Sequence, residues 1–420
     1  MDGERWVIVI GGGFAGMKAA QRLSNQPKVR VILLDKNNHH LFQPLLYQVA
    51  TAGLNPADIA VPIRAQFSDA TNVEVHLGRV KAVHLDEKYI VTENHEIEFD
   101  DLIIATGTQH NYFGHPEWET YAPGLKTLEQ ATEIRRRVLS AFELAENTFD
   151  PALQKELLTF VVVGGGPTGV EMAGAIADIA RTVLVKDFKH INPAQARVIL
   201  LEAAPKIMAA FDETLAKRAC HDLEALGVEV RTSAMVQNIN AEGVQVGEEF
   251  IRARTVVWGA GVRASPMQFI PEIPLDKAGR VKVNKDLSIP NYSNVFVVGD
   301  MASLELEPGK FLPGLAPAAM QAGRHAADNI LLTLAGKARK DFVYHDKGLM
   351  ATIGKHKAIA QAGRLKMTGF IAWLAWLFVH VFYLVTFRNR LSVMIQWAWS
   401  YTFSKRGARL ITQREWRLST

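Results

Sequence analysis

Only one cysteine, Cys220, occurs in 420 residues. A lone thiol excludes an intramolecular disulfide, fits a reducing compartment and rules out electron transfer through a cysteine pair within the chain. Lying in a helical stretch from Asp212 to Leu226, it is expected to serve in packing. Metal-ligand spacing is lacking too: His39 and His40 are adjacent, but no further His or Cys stands at zinc intervals, so no metal site is expected. Solenoid-type repeats are absent. Before the first strand there is no charged leader, apolar signal core or cleavage site, so the globular part is expected in the cytosol. Charge is missing from Gly369 to Phe387, about 19 residues, which meets the length for one membrane span. Acid is scarce beyond that run. From Arg388 onward Glu415 alone stands against seven Arg or Lys, a balance of +6 within a net charge of +4, which leaves the rest near neutral at −2. Basic charge gathered beside an apolar run suits an anionic lipid surface. Nucleic acid would require basic patches interleaved with a readout element, and no such partner is expected.

At this length the chain exceeds one ordinary core and predicts two or three domains. Two glycine fingerprints organise it. Gly11-Gly12-Gly13-Phe14-Ala15-Gly16 follows a strand at Trp6 to Ile10, and Gly164-Gly165-Gly166-Pro167-Thr168-Gly169 follows one at Phe160 to Val163. In the pattern G-x-G-x-x-G the first glycine makes the strand-to-helix turn and the second lets backbone approach a pyrophosphate. The third lets helix and sheet pack closely, leaving the pyrophosphate at the positive end of a helix. One copy is weak, because glycine also marks ordinary turns. Two copies about 150 residues apart, each between strand and helix, predict two bound dinucleotides, a flavin and a nicotinamide.

The strand Arg30 to Leu34 ends at Asp35, where an acid can accept hydrogen bonds from ribose hydroxyls. In the second unit the strand Arg197 to Leu201 ends at Glu202, which can pair with an adenosine 2′-hydroxyl and would repel a 2′-phosphate. No Arg follows in Ala203-Ala204-Pro205, so NADH is expected over NADPH. After the strand Asp101 to Ile104, the turn Ala105-Thr106-Gly107 reads equally as a tight turn or as close backbone approach to a nucleotide. Strands are also expected at Val73 to Leu77 and Lys88 to Thr92, with a loop and helix across His39 to Ala50 and a helix from Leu128 to Glu146. Val256 to Trp258 runs into Gly259-Ala260-Gly261, Asn294 to Val298 runs into Gly299-Asp300, and a helix extends from Leu315 to about Leu334. The fold class is α/β, with two Rossmann-like dinucleotide-binding domains, the second inserted in the first, and a C-terminal membrane-anchoring region. The expected boundaries are 1–117 and 290–332 for the flavin domain, 118–289 for the nicotinamide domain and 333–420 for the anchor.

Within the anchor, Arg388, Ser392, Gln396, Ser400 and Ser404 recur every four residues among Leu391, Met394, Ile395 and Ala398, a polar stripe suited to a helix lying in the lipid interface. Trp373, Trp376, Trp397, Trp399 and Trp416 suit the headgroup zone. An interfacial anchor, as a helical hairpin, is the leading expectation. A single span, a core helix of a soluble domain, and a strand from Trp397 to Ser404 stay open.

Taken together, Gly164 to Glu171, the Val297-Val298-Gly299-Asp300 turn, the run Leu315-Ala316-Pro317-Ala318-Ala319-Met320-Gln321 and the tail motifs Phe387-Arg388-Asn389-Arg390-Leu391 and Gln396 to Tyr401 resemble the type II NADH dehydrogenases. These are single-chain, non-pumping NADH:quinone oxidoreductases of the respiratory chain. The resemblance implies FAD held by Gly11, Gly12, Gly13, Phe14, Ala15, Gly16, Asp35, Lys36, Val80, Thr106, Gly107, Asp300 and Ala316. It implies NADH as substrate at Gly164, Gly166, Gly169, Glu202 and Gly261, with Glu171 and Gln321 as the catalytic side chains. It further implies a membrane quinone acceptor, a homodimer, and a peripheral or monotopic place on the cytoplasmic face of the inner membrane. Where some relatives carry Ala-Gln, this chain has Ala316-Pro317, so no glutamine role transfers to position 317. A membrane-bound flavoprotein reductase with a protein acceptor such as ferredoxin, and a non-catalytic NADH-sensing flavoprotein, are the alternatives. Flavoproteins that use a redox cysteine pair or oxidise sulfide through cysteines cannot be built from one Cys220.

Overall fold

The computed structural model describes residues 4–403 and 406–412. The chain divides into two compact units, Met1–Leu41, Ala60–Gln109 and Val262–Lys347 in one, and Phe42–Ile59, His110–Gly261 and Gly348–Thr420 in the other. These breaks do not coincide with the expected ones at 117, 289 and 332.

The first unit is built on a six-stranded sheet in the order Ser288–Ile289, Tyr292–Val297, Asp101–Ile104, Arg5–Ile10, Val29–Asp35, Val73–Leu77. All pairings are parallel except that of the short first strand. Strands buried on both faces read as continuous apolar runs, and the alternation of side chains splits Val7-Ile8-Val9-Ile10 between two cores. Val7 and Val9 pack with the helices Phe14–Leu23 and Ala316–Leu334, while Ile8 and Ile10 pack with the sheet that contains Val80–His84 and Tyr89–Thr92. The two helices meet through small residues: a Cβ on Gly323 would lie 2.0 Å from the Ala15 carbonyl oxygen. One expectation is corrected here. His39–Leu41 is not loop or helix but a strand paired with Ala60–Pro62. Helix begins only at Leu46, after a short 3-10 turn at Gln43–Leu45 that carries Pro44.

The second unit repeats the design with four parallel strands, Val228–Arg231, Arg197–Leu201, Thr159–Val163 and Thr255–Trp258. Helix Leu128–Asn147 opens with a capping box, the Thr127 side chain accepting from the Gln130 amide and the Gln130 side chain returning to the Thr127 amide. Helix Glu213–Ala225 starts at Asp212, whose carboxylate accepts the Thr214 N–H at 3.0 Å. Cys220 on that helix is half-buried rather than packed in the core, with its sulfur 3.6 Å from Glu224 Oε1. Burial and that carboxylate push its thiol pKa up, which makes it a poor nucleophile.

The C-terminal part carries a three-stranded antiparallel sheet, Leu349–Thr352, Ala358–Ala362 and Leu365–Thr368, followed by helices Gly369–Tyr383 and Phe387–Phe403. The second helix runs unbroken through Trp397, so the strand considered there is not formed up to Phe403; Ser404 and Trp416 lie outside the described residues.

The Gly323 contact generates the first prediction. Gly323→Ala must push the two helices apart, and overpacking of this kind costs about 1–3 kcal/mol. Thermal unfolding is expected several degrees lower, with FAD retained less well on dilution. Native stability and native FAD retention would contradict the contact.

Candidate active site

Both fingerprints sit at the carboxyl ends of the parallel strands and are built alike. Gly11 has φ +105° and donates its N–H to Leu34 O at 2.7 Å; Gly164 has φ +108° and donates to Leu201 O at 2.7 Å. A Cβ on Gly16 would lie 1.8 Å from Gly11 O, and one on Gly169 would lie 1.8 Å from Gly164 O. Helix and turn therefore touch through glycine alone. At the middle glycines the situation is reversed, since a Cβ on Gly13 or Gly166 would meet nothing within 4 Å. That open space lies at a helix N-terminus, where orphan amides and the helix dipole favour an anion.

The strand-end acids match as well. Asp35 accepts the Gly12 N–H at 2.6 Å and the Asn37 N–H at 2.7 Å, one on each oxygen. Glu202 accepts the Gly165 N–H at 2.5 Å and the Ala204 N–H at 2.7 Å, again one on each. A carboxylate has about four acceptor positions, so each acid is oriented by its loop and keeps capacity for ribose hydroxyls.

Around the first fingerprint the remaining expected residues fall in the same unit. Thr106 Oγ1 is buried with no hydrogen-bond partner among the described residues, and Gly107, at φ +65°, faces open space. Asp300 lies in the turn Gly299–Met301, and a Cβ on Gly314 would come within 3.4 Å of its carboxylate. Phe14 and Ala15 open the fingerprint helix, Lys36 is exposed beside Asp35, Val80 is buried at the head of its strand, and Ala316 starts its helix. An orphaned hydroxyl, an open helix N-terminus and an oriented acid fit a dinucleotide, and these are the residues that would hold FAD. In the second unit Gly261, at φ +72°, accepts the Asn111 N–H at 3.3 Å and closes the loop after Trp258. Gln321 behaves differently from expectation: its amide donates to His345 O and accepts from His345 N, both at 3.0 Å, so it braces the backbone there.

Two supporting residues had escaped the sequence reading. His40 Nδ1 lies 2.8 Å from Gly12 O, its ring is edge-on to Phe14, and burial lowers its pKa. It is a brace for the first fingerprint, for which its place beside His39 gave no signal. Ile63 lies under Gly12, where a Cβ would come within 2.4 Å of its Cδ1.

Glu171 stands on the second fingerprint helix, Pro167–Asp178, half-buried. Burial pushes its carboxyl pKa up to about 8, against the Thr352 backbone amide, which holds it down. A carboxyl that keeps its proton at neutral pH is suited to proton exchange with a reacting group. At the other end of the same helix Asp178 pairs with Arg406, which also donates to Thr51 O at 2.7 Å.

The C-terminal helices reverse the expected polarity. Ser392 Oγ and Gln396 Nε2 each donate to the Asp58 carboxylate at 2.7 Å, and Asn389 Nδ2 donates to the carbonyls of Asp58 and Ala57 at 2.8 and 3.2 Å. Ser392 and Gln396 of the polar stripe thus grip the protein, while Arg388 is exposed. Trp373, Trp376 and Trp397 are buried as well, leaving Trp399 exposed. What faces outward is apolar: Ile371, Leu374, Phe378 and Phe382 on the first helix, Leu391, Ile395 and Trp399 on the second. Among the described residues no helix is long and apolar enough to cross a membrane. Gly369–Tyr383 has 15 residues, about 22 Å against a hydrocarbon core of about 30 Å.

Two oriented acids, two glycine loops and a proton-retaining carboxyl define the class of the two-dinucleotide oxidoreductases. The family model described as pyridine nucleotide-disulphide oxidoreductase matches residues 5–323, and that of the NDH2 C-terminal domain matches residues 346–406. Two relatives from Mycobacterium tuberculosis, type II NADH:quinone oxidoreductases Ndh and NdhA, are each 42% identical, over 97% and 99% of this chain and 90% and 91% of their own. A solved structure of NDH2 from Plasmodium falciparum in complex with NADH shares the fold, with TM-score 0.88 at 19% identity over 98% of this chain and 100% of that one. The chain belongs to the type II NADH:quinone oxidoreductase family.

Glu202 generates the prediction for this site. Glu202→Arg removes the carboxylate that repels a 2′-phosphate, so the ratio of kcat/KM for NADH over NADPH should narrow by about tenfold or more. A native enzyme that uses both coenzymes equally would contradict the assignment.

Proposed function

We infer that this protein is an FAD-dependent NADH:quinone oxidoreductase that does not pump protons. The observation that carries the reading is the duplicated acid-and-glycine loop, joined in one chain to C-terminal helices whose apolar residues face outward. FAD, when bound, supplies two-electron chemistry linking a hydride donor to a quinone. The first fingerprint, with Asp35, Thr106 and Asp300, holds FAD, and the second, with Glu202 and Gly261, holds NADH. In domain terms these are 1–117 with 290–332, and 118–289. The main-chain amides beside Gly13 and Gly166 receive the pyrophosphates, and the acids receive ribose hydroxyls.

Reduction of a quinone by NADH consumes one proton beyond the hydride. Glu171 is the side chain that can hold it: with a pKa of about 8 it is protonated at pH 7 and loses its proton above pH 8. Residues 333–420 form the anchor. Its outward apolar face inserts among lipid tails, and basic residues of the tail add attraction to anionic headgroups on the cytoplasmic face. A homodimer is part of the same reading, on the family resemblance.

Two predictions test it. Turnover with NADH and quinone should decline above about pH 8, and Glu171→Gln should both slow turnover and flatten that alkaline limb. Identical pH profiles for the two proteins would remove Glu171 from the reaction. For the anchor, Phe378→Ser with Ile395→Ser should weaken binding to anionic vesicles and reduction of a long-tailed quinone, with FAD content unchanged. Salt alone should detach the native protein only in part, because insertion is apolar. Complete release of the native protein by salt would contradict insertion.

A further inference from the structure

The second residue of each fingerprint is held at three points, and the two halves of the chain do this with different parts. Gly12 gives its N–H to Asp35 at 2.6 Å, its carbonyl takes His40 Nδ1 at 2.8 Å, and a Cβ on it would lie 2.4 Å from Ile63 Cδ1. Gly165 gives its N–H to Glu202 at 2.5 Å, its carbonyl accepts the Met208 N–H at 2.7 Å, and a Cβ on it would lie 2.8 Å from Ile207 Cγ2. In the second half the carbonyl's partner is main chain, from the loop that follows Glu202. In the first half it is a side chain. His40 lies in the ribbon of His39–Leu41 with Ala60–Pro62, opposite Val61, and Ile63 directly follows that ribbon with its N–H on Asn38 O at 2.9 Å.

The partner of that carbonyl decides where the next amide points. A trans peptide is planar with its C=O and N–H on opposite sides, so holding the Gly12 carbonyl at buried His40 turns the Gly13 N–H away from the ribbon. Gly13 is exposed, a Cβ on it would meet nothing within 4 Å, and among the described residues its N–H has no acceptor. The Gly166 N–H, behind the Gly165 carbonyl, has none either. The two loops nonetheless have the same shape: φ is −75° at both Gly13 and Gly166, and +105° and +108° at Gly11 and Gly164. His40 therefore does for the first loop what a main-chain amide does for the second. A carbonyl only accepts, so Nδ1 carries the ring's proton, and burial keeps the ring neutral by lowering its pKa. The Phe14 ring, edge-on with its centroid 5.2 Å away, fixes the plane in which that N–H points.

We propose that His40 is a positioning residue for the flavin's pyrophosphate: it holds the Gly12 carbonyl so that the Gly13 N–H is presented to a phosphate oxygen. The group recognised is a diphosphate ester, whose oxygens take main-chain N–H groups at the positive end of the helix Phe14–Leu23. Without the His40 donor the buried Gly12 carbonyl is left unpaired, and Asp35 cannot replace it because a carboxylate only accepts. The peptide can relieve that cost only by rotating, which takes the Gly13 N–H off the phosphate. Either way FAD is held more weakly, while the second loop, clamped by Met208, is untouched.

The proposal rests on the assignment of FAD to the first fingerprint, which Asp35→Ala tests separately. In the FAD-loaded, full-length enzyme, the fluorescence of flavin released on serial dilution gives the dissociation constant for FAD. His40→Leu and His40→Asn match in side-chain size, and only Asn keeps an N–H at the place of Nδ1. The dissociation constant is expected to rise about five- to tenfold in His40→Leu and to stay within about twofold of native in His40→Asn, the scale of one buried hydrogen bond and the carbonyl it strands. Phosphorus NMR reads the site itself: the resonances of bound FAD should shift in His40→Leu and return in His40→Asn, while those of NAD+ at the second fingerprint stay put in both. His40→Phe, which keeps the bulk of a ring, should lose FAD as His40→Leu does, and it carries the comparison with His40→Asn should His40→Leu fail to fold. Equal FAD affinity and equal phosphorus shifts in the variants with and without the N–H overturn the proposal, even where all fall below native, because packing alone then accounts for the loss. FAD held by Asp35→Ala as tightly as by the native enzyme overturns the assignment instead.

Discussion

The close approach of a helix to the turn that precedes it governs both halves of this protein. At Gly16 and at Gly169 a single added Cβ would lie 1.8 Å from the carbonyl of the first glycine, so the helix N-terminus can come down onto the strand end only because both residues lack side chains. That approach brings the N–H of Gly12 or Gly165 within reach of the acid ending the next strand, and the acid in turn fixes the loop. Parallel pairing in register, Ile10 opposite Leu34 and Val163 opposite Leu201, sets the spacing at which the carboxylates meet the loops. The rest is elaboration on that repeated contact: continuous apolar strands to make a sheet buried on both faces, and a small-residue seam at Ala15 and Gly323 to let a further helix close on the first.

The C-terminal helices solve a different problem, that of presenting apolar surface outward without losing their own footing. Three polar residues of the second helix turn inward. Asp58 takes hydrogen bonds from Ser392 and Gln396, Asn389 takes two carbonyls, and three tryptophans are buried behind them. A helix gripped by directional bonds on one side can leave Leu391, Ile395 and Trp399 exposed on the other. The same footing reaches Thr352 through Trp397, Gln48 and Tyr47.

The two nucleotide folds were legible in the sequence because glycine spacing, apolar strand runs and strand-end acids are local signals. Asp35 and Glu202 could be placed from the strands they end, and both are oriented by their own loops. The anchor was misread in its facing for an equally physical reason. A stripe at every fourth residue shows that Ser392 and Gln396 share a side of a helix, but not whether that side meets water or a buried acid far away in sequence such as Asp58. Gln321 illustrates the same limit, since its amide is occupied by the backbone of His345, 24 residues on. The buried bonds of Tyr47 and Gln48 were invisible in the same way, because their partners, Thr352 and Trp397, lie about 300 residues away or more.

The central claim, that one chain takes reducing equivalents from NADH and delivers them to a quinone, is tested most directly by anaerobic stopped-flow on the purified holoenzyme in two mixing steps. NADH should bleach the visible absorbance of the bound FAD at least as fast as steady turnover. A quinone added in the second step should then restore it, again no slower than turnover. Bleaching by NADH followed by recovery only with a protein acceptor such as ferredoxin, or no recovery with quinone at all, would contradict the account.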